Sequence, residues 1–255
     1  MIAGVVGRVA RLTRATVPDQ VYVAVRPRLE KILGLQEPEL AHLLQARAKP
    51  WGRRFVDVGA NWGSYTVLLG SKFARVESFE PLSHCAAALR RYAAAFKANI
   101  EVHEYALSDR EETVSFLVPE NDSVDRSGTS RIVDSIEASS IPVEAKTLDS
   151  FRFDDVDLVK IDVEGHERRV IAGAAGTIRR CRPALLVEIE QRQFSEPLAE
   201  RIAYVESFGY RASFWRDGKK TDAAEFVVER DQNLANFDKR GRYINNFLFE
   251  PVAPS

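Results

Sequence analysis

From Phe55 onward, short apolar runs alternate with loops and helix-length amphipathic segments, and this alternation restricts the fold more than any other feature of the chain. Phe55-Val-Asp-Val ends at a Gly/Asn loop, and Asn61 to Phe73 has the length and pattern of a helix. Arg75 to Glu80 is a second strand. Ser83 to Lys97 is an Ala-rich helix that Pro81 and Ser83 can start, and Ile100 to Leu107 is a third strand. Val114 to Val118 is a further short strand. Val156 to Asp162 is a strand that leads into a helix from about His166 to Arg180. Pro183 to Ile189 is the next strand, Leu198 to Phe208 the next helix, and Arg211–Arg216 and Asn246–Glu250 are two late strands. Strands and helices in this order give an α/β fold, a mostly parallel sheet covered on both faces. Ligands of such sheets bind at the carboxyl ends of the strands, near the switch point. The loops of interest therefore follow Val58, Phe79, Leu107, Ile161 and Val187.

A chain of 255 residues suits one large domain with extensions. The expected organisation is a helical extension over 1–50 and a ligand-binding domain over 51–255. A net charge of −1 excludes the global basic excess of a dedicated nucleic-acid binder. Cys85 and Cys181 show no metal spacing and read as unpaired thiols in a reducing compartment. No run of 18 apolar residues is present, and Arg8 interrupts the apolar start before a signal-peptide core forms, so a cytoplasmic protein is expected. Arg8, Arg11 and Arg14 fall on one helix face opposite Val5, Val6, Val9 and Leu12. That helix is either a solvated cap or an interfacial contact with anionic lipid or a partner. Residues 119–140 are polar and loop-like, a candidate lid or substrate loop. A monomer and a homodimer are both compatible with the pattern.

The first loop reads Asp57-Val-Gly-Ala-Asn-Trp-Gly-Ser-Tyr. Gly59 permits a tight turn and close approach of a ligand to the backbone, and Gly63 permits close helix–strand contact. N–H groups of Ala60, Asn61 and the helix start can receive a carboxylate, and Asp57 can accept from an ammonium. A plain tight turn is the bland alternative. The G-x-x-x-G order, with Asn61 at the position of the second glycine, departs from the dinucleotide fingerprint and counts against pyrophosphate. Glu80, about 20 residues further on, stands where an acid accepts the hydroxyls of an adenosine ribose. Its alternative is an acid that offsets a helix macrodipole. Ser108 or Asp109 can meet an adenine edge, or simply form a turn.

These residues resemble the FkbM-type methyltransferase family. The resemblance runs from about Phe55 to Arg192 and echoes at Ile244-Asn-Asn-Phe-Leu-Phe-Glu-Pro. It is carried by Val56-Asp-Val-Gly-Ala-Asn-Trp-Gly, Phe79-Glu-Pro, Thr147-Leu-Asp-Ser, Val159-Lys-Ile-Asp-Val-Glu-Gly-His-Glu and Arg182-Pro-Ala-Leu-Leu-Val-Glu-Ile. It implies a Rossmann-like, seven-stranded class I methyltransferase sheet with an antiparallel last strand, S-adenosylmethionine as cofactor, and O-methylation of sugars, glycolipids or natural products. Residues 1–50 fall outside it.

Methyl transfer to an alcohol needs in-line positioning and a base. Asp162, Glu164 and His166 cluster at the end of the fourth core strand. His166 has a suitable resting pKa, whereas Asp162 and Glu164 can instead hold a divalent cation such as magnesium. All three can also be no more than the start of a helix. Lys160, inside a strand, calls for a carboxylate partner. Glu188 is a second acid for the substrate side or a metal, or the partner of a strand-edge arginine. Against N-methylation of RNA or protein, Asp162-Val-Glu-Gly stands where an Asn/Asp-Pro-Pro-aromatic motif belongs. A non-catalytic binding subunit is the remaining alternative, and intact Asp57, Gly59, Glu80 and Asp162 speak against it.

Overall fold

A computed structural model of the protein describes residues 17–32, 38–45, 52–118, 130–133, 140–237 and 242–252. The basic face of Arg8, Arg11 and Arg14 and most of the 119–140 stretch lie outside the described residues.

Among the described residues, the main sheet has eight strands in the order β11-β10-β12-β9-β8-β1-β2-β3. Its parallel core consists of β1 (Arg54–Val58), β2 (Arg75–Phe79), β3 (Ile100–His103), β8 (Val156–Ile161) and β9 (Ala184–Glu188). Strand β12 (Asn246–Pro251) inserts antiparallel between β9 and β10 (Tyr210–Arg216). These seven strands match the expected sheet. The eighth, β11 (Lys219–Asp222), folds back on β10 through Asp217-Gly218, both with positive φ. That pair is a strong hairpin signal in the sequence.

The alternation of side chains across the strands sorts the core. Val56, Val58, Val159 and Ile161 face α5 (Glu167–Gly173), α6 (Ala175–Cys181) and α7 (Leu198–Glu206). Phe55, Leu158 and Leu186 face α2 (Pro38–Gln45) and α3 (Ser64–Gly70). Strands β1 and β9 are buried along their whole length, as expected of central parallel strands. Helix α1 (Asp19–Ile32) packs on α3 and on α4 (Ser83–Phe96), burying Tyr22, Val23 and Ala24 beside Trp62 and Cys85. The short α8 (Val228–Asp231) precedes β12.

Three elements differ from the sequence expectation. The third strand divides: Ile100–His103 stays in the main sheet, whereas β4 (Ala106–Leu107) pairs with β7 (Ser140–Lys146) in a second sheet. That second sheet, β4-β7-β5-β6, includes β5 (Glu112–Leu117) and β6 (Arg131–Val133). The 166–180 helix is two helices that meet at Ala174. The helix expected from Asn61 starts only at Ser64, because Asn61 (φ 47°) and Gly63 (φ 80°) hold left-handed conformations that a right-handed helix cannot include.

Candidate active site

Gly59 is the hinge of the site. It has φ 77°, and a Cβ there would stand 1.9 Å from the Asp162 carbonyl oxygen. The loop after β1 and the loop after β8 therefore touch backbone to backbone, which only glycine permits. The Asp162 N–H completes the contact by donating to the Val58 carbonyl at 3.0 Å, and the Gly59 and Ala60 N–H groups donate to Phe79 at 3.0 and 3.1 Å. Gly63 serves a different neighbour from the one expected. A Cβ there would lie 2.5 Å from Leu89 Cδ2, so it brings α3 against α4 rather than against a strand.

Glu80 follows β2 and is buried. Its Oε2 accepts from the Asn61 N–H at 2.8 Å and its Oε1 from the Leu82 N–H at 2.9 Å. Burial still prevails over these two bonds and pushes the carboxyl up to about 7. Asp57, at the end of β1, accepts from Thr66 Oγ1 at 2.6 Å, and burial pushes it up to about 6.

Two cavities meet at Gly59, Asn61 and Asp162. The first runs past Glu80 between Phe79, Leu107, Tyr105 and Phe116 and reaches Ile132 of the second sheet and Ser130, the residue before β6. The second is lined by Asp57, Lys160, Trp62, Ser64, Tyr65 and Arg26 of α1. The first is mainly apolar with acids at one side; the second carries charges of both signs.

Asp162 and Glu164 both border the first cavity. Glu164 (φ 52°) and Gly165 (φ 99°) form a left-handed turn. A non-glycine residue in that region stores strain, a feature that recurs at functional sites. Glu164 Oε2 accepts from Gln193 Nε2 at 2.5 Å. Burial, reinforced by the charges of Asp162 and Glu190, pushes Glu164 up to about 7. Glu167 holds the turn from below: its Oε1 accepts from the Gly165 N–H at 2.7 Å, and its Oε2 pairs with Arg201 at 3.2 Å.

Lys160 is buried and meets the carboxylate partner expected of it. Its Nζ lies 3.6 Å from Asp162 and 3.9 Å from Glu188, and it donates to Asn246 Oδ1 at 2.9 Å. Glu188 accepts from Asn245 Nδ2 at 2.7 Å and lies 3.9 Å from Lys160 Nζ.

Ser108, Asp109 and His166 sit apart from the walls of these two cavities. Ser108 is buried, its Oγ 2.9 Å from His166 Nε2 and 3.1 Å from Asp109 Oδ1. His166 thereby ties the turn after β8 to the end of β4. Among the described residues, no group of three or more His, Cys, Asp or Glu side chains is arranged to hold a metal ion. No described helix is long and apolar enough to cross a membrane.

Arg26, Tyr105 and Phe116 line the cavities without standing out in the sequence, whereas Ser130 and Ile132 belong to the 119–140 stretch read as a candidate lid or substrate loop. No local motif marks them. Arg26 lies more than thirty residues before the first core loop and reaches it only because Tyr22 seats α1 edge-on against Trp62, ring centroids 5.5 Å apart.

Comparison with known proteins agrees with this geometry. The description of the matching family model is Methyltransferase FkbM domain, and it covers residues 57–212, more than half of the chain. The crystal structure of methyltransferase FkbM from Methylobacillus flagellatus KT superposes with a TM-score of 0.51 at 19% identity, over 94% of this chain and 58% of that one. This chain thus spans less than two thirds of that protein. An rRNA methylase from Streptococcus thermophilus (TM-score 0.47, 13% identity, 86% of this chain and 98% of that one) is also similar. So is magnesium protoporphyrin IX methyltransferase from Synechocystis PCC 6803 with bound SAM (TM-score 0.47, 12% identity, 91% and 84%). No curated protein matches the chain in sequence. The family model spans both the Gly59 loop and the Asp162–Glu164 turn, and on that match the chain belongs to the FkbM methyltransferase family.

Proposed function

We propose that the chain binds S-adenosylmethionine across the two cavities and transfers its methyl group to a hydroxyl oxygen of a sugar, glycolipid or natural product. The observation that carries this is the junction at Gly59, Asn61 and Asp162, where an apolar slot beside Glu80 meets a second cavity of mixed charge. A nucleoside fits the first by its flat apolar body and its pair of hydroxyls. An amino-acid end fits the second, which offers Asp57 toward an ammonium and Arg26 toward a carboxylate. When bound, the cofactor supplies an electrophilic methyl group on a sulfonium.

The chain's own residues supply the rest. Each Glu80 oxygen accepts one backbone N–H and keeps a further lone pair for a ribose hydroxyl. Lys160 holds Asp162 at the junction. Glu164 is suited to take the acceptor's proton at Oε1, since its Oε2 is engaged by Gln193 and its carboxyl titrates near neutrality. His166, bonded to Ser108, acts as a positioning residue for the turn.

Calorimetric titration with S-adenosylhomocysteine, with and without magnesium, tests the cofactor part. Micromolar binding independent of magnesium is expected, and absence of binding by folded protein would overturn the reading. Transfer of labelled methyl to sugars and glycolipids but not to RNA is the expected acceptor result. Transfer to RNA or protein nitrogen would replace O-methylation, and binding without turnover on any acceptor would favour a binding subunit.

A further inference from the structure

We infer that Ser130 reads the edge of the cofactor's base, making the second sheet a specificity element of the nucleoside site. This rests on the cofactor assignment above.

The second sheet is formed by chain between β3 and β8 of the main sheet, yet it borders the first cavity through Phe116 and Ile132, with Ser130 immediately before β6. Phe116 and Ile132 provide apolar surface suited to a flat ring. Ser130 does something else. It is 8% exposed, and its Oγ is buried with no hydrogen-bond partner. A buried hydroxyl left unsatisfied is unfavourable, so such groups nearly always have a partner. This one belongs to a residue that lines a cavity, and the cavity's occupant is the group able to satisfy it.

The nature of the partner follows from the rest of the wall. Glu80 is placed to take the ribose hydroxyls, and Phe79, Leu107, Phe116 and Ile132 offer only carbon. The polar atoms of a nucleoside that remain are those on the rim of its base. Ser108 and Asp109, the pair the sequence offered for that rim, are turned to His166 and to each other. Tyr105 also brings a hydroxyl to this wall, but Ser130 is the lining residue whose hydroxyl oxygen is buried without a partner. A hydroxyl both donates and accepts, so it can serve a ring nitrogen or the exocyclic amine.

The test is calorimetric binding of S-adenosylhomocysteine to the full chain, as wild type, Ser130→Ala and Ser130→Thr, with thermal unfolding recorded for each. Loss of one neutral hydrogen bond predicts a Kd about 5- to 10-fold weaker for Ser130→Ala and recovery in Ser130→Thr. Analogues lacking one rim group at a time (1-deaza, 3-deaza, 7-deaza and 6-deamino) add a readout that a packing role would not move. One of them should bind wild type and Ser130→Ala equally. An unchanged Kd for Ser130→Ala, or the same loss with every analogue, would overturn the assignment while leaving the cofactor reading intact. Failure of wild type to bind S-adenosylhomocysteine would remove both.

Discussion

Glu80 and Glu164 are two carboxyls on opposite sides of one hinge, both held near 7 and both chiefly by burial. Their surroundings differ. Glu80 sits against two backbone N–H donors, which favour its charged form and tie it into the loop. Glu164 sits on a strained turn beside Asp162 and Glu190, whose charges disfavour its ionisation. The first arrangement suits a fixed acceptor of hydroxyl donors. The second suits a group that gains and loses a proton. A shifted pKa therefore does not by itself tell a binding acid from a base; the partners do.

The most damaging change attacks the hinge on which both acids depend. Gly59→Ala places a methyl group on the Asp162 carbonyl at a positive φ. It should destabilise the fold by about 3 kcal/mol or more in denaturant unfolding and abolish S-adenosylhomocysteine binding. A folded variant that still binds would show that the two loops need not touch.

Glu164→Gln should separate the two acids. Loss of a general base predicts a fall in kcat of about 100-fold or more, with the Kd for S-adenosylhomocysteine within about twofold of wild type. In wild type, kcat/KM should rise with pH through about 7, and the variant should lose that rise. A variant with full turnover would transfer the base role elsewhere in the turn.

Glu80→Gln should do the converse. Losing charged acceptors for the ribose predicts Kd about 10- to 100-fold weaker, with kcat at saturating cofactor much less affected. Hydroxyl donors stabilise the ionised form, so cofactor binding near pH 7 should release a proton from Glu80. Calorimetry in buffers of different ionisation enthalpy should detect that release in wild type and lose it in Glu80→Gln, but not in Glu164→Gln. Arg26→Ala should weaken S-adenosylhomocysteine by about tenfold and leave 5′-methylthioadenosine, which lacks the amino-acid end, unchanged.

The smallest effect is on ligand-free stability. Both carboxyls have folded values above the ordinary 4.5, so the native state holds more protons than the unfolded state between about 4.5 and about 7. Stability should therefore fall as pH rises through that window and level off above it. Glu80→Gln and Glu164→Gln should each flatten the slope of Tm against pH. An unchanged slope in both would place the proton uptake on Asp57 or Glu167, which are also raised.

Much of this was legible in the chain because parallel strands and their following loops are local in sequence. Asp57, Gly59, Asn61, Glu80, Asp162 and Glu164 each stand at the carboxyl end of a recognisable strand, and all six line the cavities or their junction. Ser108 and His166 were equally conspicuous, but their side chains meet each other, a pairing across 58 residues that spacing alone does not reveal. The Asp217-Gly218 hairpin is locally encoded, but its second strand, Lys-Lys-Thr-Asp, has no apolar face to mark it as a strand.

The sequence by itself determined the alternation of the main-sheet strands and helices, the family and the acids at the strand ends, since periodicity, glycine placement and short motifs are properties of neighbouring residues. The tertiary structure decided what surrounds those acids. It carried Arg26 on α1 and Ser130 beside β6 into the cavities, and it buried Glu80 and Glu164 among different partners. The physical reason is that desolvation and hydrogen-bond satisfaction depend on what lies within a few ångströms in space, and in this fold those neighbours come from segments tens of residues apart in the chain.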